Sequence, residues 1–369
     1  MIAAARVPVP TRPPGRHVRP LAREPGQPVG FVDVRLTLPR SPRVLAATVS
    51  RLIPRSGRWS FRPRHILAIS GGAAGGAYGA GFLAGLSRAG RRPSFDLVTG
   101  VSTGALIAPF AFLGPDWDDR LEDAYASGRA ARAIRQGRAL PGLEHSLLGA
   151  AVLDALITPF VDDALLRAIA AAHAEGRRLF VTTTDLDRQR ACVWDMGAIA
   201  SQSGPDDDGR ALALFRSVLA ASASLPGVFP PRMISCASGA RIYEEMHVDG
   251  GVSAPLFILP EPLLGRRDVG QRLRGSHVHM IVNTVLDPVP QATAASLPVI
   301  LLRSFDTMLR QSYQQAIGTA AAFCAGAGLS LSLASIPSAP EPSAMMNFDT
   351  PGMRRLFEAG RRRATGDDP

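Results

Sequence analysis

The chain has 369 residues, 46% hydrophobic and 20% charged, enough for a sizeable core in one large α/β domain or two small ones. Its net charge of +10 belongs to one end: residues 1–64 hold 13 Arg against Glu24 and Asp33, and the remaining body is nearly neutral. Nucleic acid is therefore not an expected partner, and the complete lack of Lys excludes a Gly-Lys-Ser/Thr phosphate loop.

Residues 1–60 carry Pro-Pro, Pro-Gly and repeated Arg-Pro steps, a composition that buries too little surface to order itself. They are expected to form a disordered leader, with peripheral contact to anionic lipid as the sharper alternative. Residues 31–37 alternate and could add an edge strand. The segment 44–49 is the nearest approach to a signal core, and Ser50-Arg51 ends it. No apolar run approaches the ~20 residues of a spanning helix, and no cysteine precedes Cys192 to carry a lipid anchor. Cytoplasmic or peripheral-membrane placement follows as an expectation. Cys192, Cys236 and Cys324 form no C-x-x-C pair or disulfide framework.

Periodic structure begins at His65. Residues 65–70 read as a buried strand, 71–76 as a glycine loop, and Tyr78, Phe82, Leu83 and Leu86 recur at helical spacing. Residues 95–99 are a second strand, so a βαβ unit opens a mainly parallel sheet covered by helices in three layers. Residues 116–175 read as mostly helical, with breaks near Gly142 and Pro159. Strands follow over 178–184, 191–195 and 277–285, with helices over 211–224 and 298–326. Another strand ends at Asp249-Gly250-Gly251. A domain over 61–360 and a polar tail over 361–369 complete the organisation.

The chemistry centres on Gly100-Val101-Ser102-Thr103-Gly104, where an apolar run meets a sharp turn and an Ala/Leu-rich run follows. That is a strand, an elbow and a helix, with Ser102 exposed at the turn and Gly100 and Gly104 where strand and helix pass closely. A serine nucleophile needs a base and an oxyanion hole. The loop Gly71, Gly72, Ala73 at a helix start supplies candidate N–H donors. For the base, α/β-hydrolase order points to His277 or His279, which share one face of an apolar strand and suit a structural role. Asp249 in Asp-Gly-Gly is the alternative, though on spacing alone a plain turn is the better reading of it. Asp206, Asp207 and Asp208 lack alternating calcium-ligand spacing. Trp194 and Met196 suit either an acyl pocket or the core, and Arg232 either a lipid phosphate or the surface.

Four blocks in order give a resemblance. Ser70-Gly71-Gly72-Ala73-Ala74-Gly75-Gly76, the Ser102 elbow, the segment from Ala221-Ser222 to Phe229-Pro230-Pro231, and Asp249-Gly250-Gly251 are similar to those of the patatin-like phospholipases. The resemblance implies a lipid acyl hydrolase with a Ser102–Asp249 dyad, an oxyanion hole at Gly71, Gly72 and Ala73, motif glycines Gly100, Gly104, Gly250 and Gly251, and no metal or cofactor. It implies lipid esters as substrates, through an acyl-serine. A non-catalytic lipid-binding module and a Ser-His-Asp esterase using His277 or His279 are the rival expectations. The family usually has a third Gly at the position of Ala73 and Arg or Lys at that of Gly75. Ala73 can serve there unless the position requires φ > 0.

Overall fold

A computed structural model describes residues 25–36, 49, 53, 63–137, 146–204, 207–287, 290, 292–337 and 347–366. His17, His145, Gly142, Asp206, the segment 44–48 and most of the expected leader lie outside the described residues.

The strands in chain order are β1 (Gln27–Pro28), β2 (Arg35–Leu36), β3 (His65–Ile69), β4 (Leu97–Val101), β5 (Arg178–Asp185), β6 (Arg190–Asp195), β7 (Arg232–Ser238), β8 (Arg241–Asp249), β9 (His277–Val285) and β10 (Ser330–Ile336). They join in one mixed sheet of order β1-β7-β8-β5-β4-β3-β9-β10, with β6 pairing β5 and β2. The centre, β5-β4-β3-β9-β10, is parallel, and the strands beyond it are antiparallel. Alternate strand residues feed two cores: Leu67, Ile69 and Val98 face one, Ile66, Ala68 and Leu97 the other. Burial on both faces is what the continuous apolar runs at 65–70 and 95–99 require, and the result is an α/β fold with helices on both faces.

The first core is covered by α1 (Gly76–Arg88), α2 (Thr103–Leu113), α3 (Asp118–Ala126), α4 (Arg129–Gln136), α5 (Ala150–Ile157), α6 (Asp163–Ala174), α7 (Met196–Ala200) and α8 (Arg210–Ser222). The second is covered by the loop 253–260, α9 (Glu261–Leu264), α10 (Arg267–Leu273) and α11 (Leu297–Ala327). A last helix, α12 (Thr350–Thr365), lies along α1.

Two expected boundaries are corrected. The polar tail over 361–369 is too long, because α12 runs through Thr365 with Ala364 buried. Gly81 and Gly360 let the two helices touch, since a β-carbon at either would overlap backbone of the other helix. The disordered leader over 1–60 is also corrected for residues 25–36, which dock on the antiparallel part of the sheet. Arg35, 2% exposed, donates to Glu245 at 2.7 Å and lies 4.3 Å from the Trp194 ring. A buried charge must be paired, and Arg35 is paired across 210 residues of chain. The edge strand expected within 31–37 is present as β2 on β6.

Candidate active site

Two strands end head to head along one edge of β5. Val101, the last residue of β4, sits opposite Thr182, and Asp249, the last residue of β8, sits opposite Thr183. Ser102 follows β4 at once and opens α2. The glycines make this approach possible: a β-carbon at Gly104 would overlap the Ile69 and Ser70 carbonyls, and one at Gly250 the Thr182 carbonyl. Gly100 packs on the first turn of α2, and Gly251 donates its N–H to Asp249.

Ser102 holds φ 55° and ψ −127°, a conformation that costs a non-glycine residue ~1–3 kcal/mol. Its backbone N–H donates to Ser222 Oγ at 3.0 Å, and that hydroxyl donates to the Thr182 carbonyl at 2.7 Å. The Asp249 N–H donates to the Ser224 carbonyl at 2.9 Å. One short segment at the end of α8 thus fixes the backbone of both residues. Replacing the buried Ser222 by Ala leaves an N–H and a carbonyl unpaired. Ser222→Ala is expected to cost about 2 kcal/mol of stability in a denaturant melt and to lower kcat at least tenfold with little change in KM.

Ser102 Oγ donates to Asp249 Oδ2 at 2.6 Å, and Asp249 Oδ1 accepts from the Gly251 N–H at 2.7 Å. Asp249 is 3% exposed. Burial pushes its carboxyl up to about 7, against the smaller opposing pull of its bonds from Ser102 and Gly251. A carboxylate with ordinary acidity accepts protons poorly at neutral pH, and one at 7 is matched to that task.

The loop Gly71, Gly72, Ala73 faces Ser102. A β-carbon on Gly71 would sit 3.0 Å from Ser102 Cβ and from the Tyr313 hydroxyl. Asn283, on β9, pins the loop: its side-chain amide donates to the Ser70 carbonyl at 2.9 Å, its N–H donates to Ser70 Oγ at 2.9 Å, and its Oδ1 accepts from the Gly79 N–H at 3.1 Å. Gly71 N–H makes a long 3.4 Å bond to the Pro255 carbonyl, whereas those of Gly72 and Ala73 meet no acceptor among the described residues. Gly72 has φ 146° with the Asn283 carbonyl packed against it, so it admits no side chain. That carbonyl also covers Gly75, which explains glycine where the family usually carries a cation.

Ala73 has φ 49°, so its position does require the left-handed region. Ala73→Gly is therefore expected to stabilise the protein by about 0.5–1 kcal/mol, read as a raised Tm, with activity retained.

A cavity of about 230 Å³ opens over Ser102 and Asp249, walled by Leu106, Leu153, Leu156, Leu225 and Phe229. A chamber of about 70 Å³, sharing Ala73, Thr103, Leu106 and Leu156 with it, continues toward Phe110 and Phe160. A larger cavity of about 1360 Å³ lies along β6 and the 253–260 loop and shares no lining residue with the one at Ser102. Its thiol, Cys192, is pushed up to about 11 by burial and is held protonated.

The histidine alternative is overturned by position. His279 sits beside Leu67 in the sheet, four residues before Gly71, or ~13 Å along the strand from the loop. His277 and His279 instead stack on His65, with ring centroids 5.2 and 5.3 Å apart, at the opposite ends of the strands. Trp194 and Met196 are buried in the core and line neither the 230 Å³ cavity nor its chamber. Arg232 pairs with Asp154, and Asp207 accepts from the Ala211 N–H at the start of α8. Among the described residues, no group of three or more His, Cys, Asp or Glu is placed to hold a metal.

Asn283 and Tyr313 carry no sequence signal of the site, because strand and helix periodicity explains both. Ser222 lies in the Ala221–Pro231 block, but its contact to Ser102 has no local signature.

The patatin-like phospholipase family model matches residues 67–260, more than half of the chain, from β3 through the loop after Asp249. The chain belongs to the patatin-like phospholipase family. It is similar in structure to VipD from Legionella pneumophila, at 12% identity and TM-score 0.32, covering 81% of this chain and 67% of that one. It is also similar to human GIVD cytosolic phospholipase A2 in complex with methyl gamma-linolenyl fluorophosphonate, at 13% identity and TM-score 0.35. That match covers 82% of this chain and spans only 57% of the other. No curated protein matches the chain. Among the described residues, no helix is long and apolar enough to cross a membrane.

Proposed function

We propose that this patatin-like protein hydrolyses fatty-acyl esters of lipids through an acyl-serine on Ser102, with Asp249 as general base. The observation that carries this reading is the 2.6 Å bond from Ser102 Oγ to a buried carboxylate whose pKa stands at about 7. In the proposed reaction Asp249 takes the Ser102 proton as Oγ attacks the ester carbonyl. The Gly72 and Ala73 N–H groups, with Gly71 beside them, hold the oxyanion. Collapse expels the alkoxide, which takes the proton from Asp249, and leaves the acyl group on Ser102. Water then gives a proton to Asp249 and attacks the acyl-serine. When that intermediate collapses, Asp249 returns the proton to Ser102 and fatty acid departs. No metal or cofactor takes part in this scheme.

The apolar cavity supports an acyl substrate, since its walls offer a chain little except aliphatic and aromatic surface. The chamber behind Leu106 and Leu156 gives that chain room beyond the reacting carbon. The test is release of free fatty acid from dispersed monoacyl and diacyl phospholipid by the purified protein. Release that scales with protein and disappears in Ser102→Ala agrees with the proposal. Full release by that variant would falsify it.

A further inference from the structure

Helix α11 carries large apolar side chains on two opposite sides of its first half, with the exposed Ser304 and Thr307 set among those on the outer side. Val299, Leu309 and Tyr313 face inward and line the cavity over Ser102. On the opposite side Leu297, Ile300, Leu301 and Met308 are 69, 46, 61 and 64% exposed. These four recur at i, i+3, i+4 and i+11, so they share one face, with the small Ser304 exposed between them at i+7. Beyond Met308 the same outer face carries Gln311, Gln314, Gln315 and Thr319, all exposed. The apolar stripe is thus confined to the part of the helix that borders the site.

Two residues join the stripe to the cavity. Val299 and Val252 both line the cavity and are each 41% exposed, which marks them as its mouth. Arg303 lies on the same turns, at the edge between the two faces, 3.8 Å from Asp306. The exposed aliphatic surface is roughly 400 Å². That is about half of the ~800 Å² per partner that a stable protein pair buries. A bilayer sets no such minimum, because a few aliphatic side chains enter the acyl boundary while a cation at their edge meets phosphate.

We propose that the first three turns of α11, with Val252 and Val299, form the surface by which the protein docks on a lipid bilayer. Docking there opens the cavity directly onto the membrane, so an acyl chain passes from lipid to Ser102 without crossing water. This rests on the reading of the site as a lipid acyl hydrolase. It moves the membrane contact from the Arg/Pro-rich leader to the rim of the site itself.

The experiment is co-sedimentation of the full chain with vesicles of phosphatidylcholine containing a minority of phosphatidylserine. Light scattering and turnover of a monomeric, water-soluble short-chain ester accompany it. The double variant Leu301→Gln/Met308→Gln is expected to lose vesicle affinity at least tenfold, and hydrolysis of vesicle lipid with it, while soluble-ester turnover stays at the wild-type level. Gln keeps good helix propensity at both exposed positions. The single variant Leu301→Trp is expected to bind vesicles more tightly, which separates docking from a folding defect. Ser102→Ala is expected to bind vesicles as wild type does, so docking is read even if the catalytic proposal fails. Wild-type vesicle affinity in the double variant would overturn the proposal. So would a wild-type dimer that the double variant dissolves without any change in vesicle affinity, since the stripe would then be covered by a second copy.

Discussion

Ser102→Ala is expected to lower kcat on any acyl ester by at least ~10⁴-fold while leaving the fold intact. Alanine and serine meet the same steric cost at φ 55°, so the elbow keeps its shape, and the Ser102 N–H bond to Ser222 survives. What disappears is the attacking oxygen and the bond that it donates to Asp249. That bond holds the carboxyl down, so in the variant Asp249 titrates higher than about 7. Turnover of a soluble ester beside a thermal melt checks this. More than a tenth of wild-type activity in a well-folded variant would contradict it.

Asp249→Asn is expected to act in two opposite directions. Activity falls by ~10³–10⁴-fold, because the amide cannot accept the serine proton. Stability above neutral pH rises. The folded chain holds the Asp249 proton up to about 7, whereas a free aspartate carboxyl releases it near 3.8. Below about pH 4 both states are protonated, and Asp249 contributes its full share of stability there. As pH rises from about 4 through 7, the unfolded chain releases the proton first, and that share is lost. The difference amounts to ~4 kcal/mol at most. Asn fills the same space and does not titrate, so the variant should melt above wild type at pH 8, with the gap closing toward pH 4. Wild-type activity should rise with pH to a plateau with its midpoint near 7. A variant less stable than wild type at pH 8 would contradict the first expectation, and a flat rate profile from pH 5 to 9 the second.

Local signals make much of the fold legible. Strands β3 and β4 are apolar runs bounded by glycine, because they are buried on both faces. The elbow is legible because only glycine fits at Gly104. What escapes is tertiary. Strand β7 carries Arg, Ser and Ala with only Met233 and Ile234 as large apolar residues, and its pairing comes from neighbours rather than pattern. Strand β10 alternates Ser and Leu at its start, yet only Ala334 in it is buried. Helix α12 has three consecutive arginines and resembles a tail, yet Phe357 and Gly360 set it on α1. Arg35 sits in a Pro/Arg-rich stretch, and its ion pair with Glu245 has no local signature.

The same limit applies to the candidate site. Ser102 and Asp249 stand 147 residues apart and come together because β4 and β8 end at neighbouring residues of one β5 edge. No spacing rule carries that meeting, and without a family resemblance Asp249 would compete with His277 and His279. Nor does the sequence show that Ala73 adopts φ 49°, since its neighbours set that angle.

The most direct measurement is labelling with a fluorophosphonate probe, with the modified peptide mapped by mass spectrometry, for wild type, Ser102→Ala and Asp249→Asn across pH 5 to 9. One adduct on Ser102 is expected, formed at a rate that rises with a midpoint near pH 7. No adduct is expected in Ser102→Ala, and labelling at least a hundredfold slower in Asp249→Asn. An unlabelled, well-folded wild type, or an adduct that forms as fast without the Asp249 carboxylate, would contradict the proposed dyad.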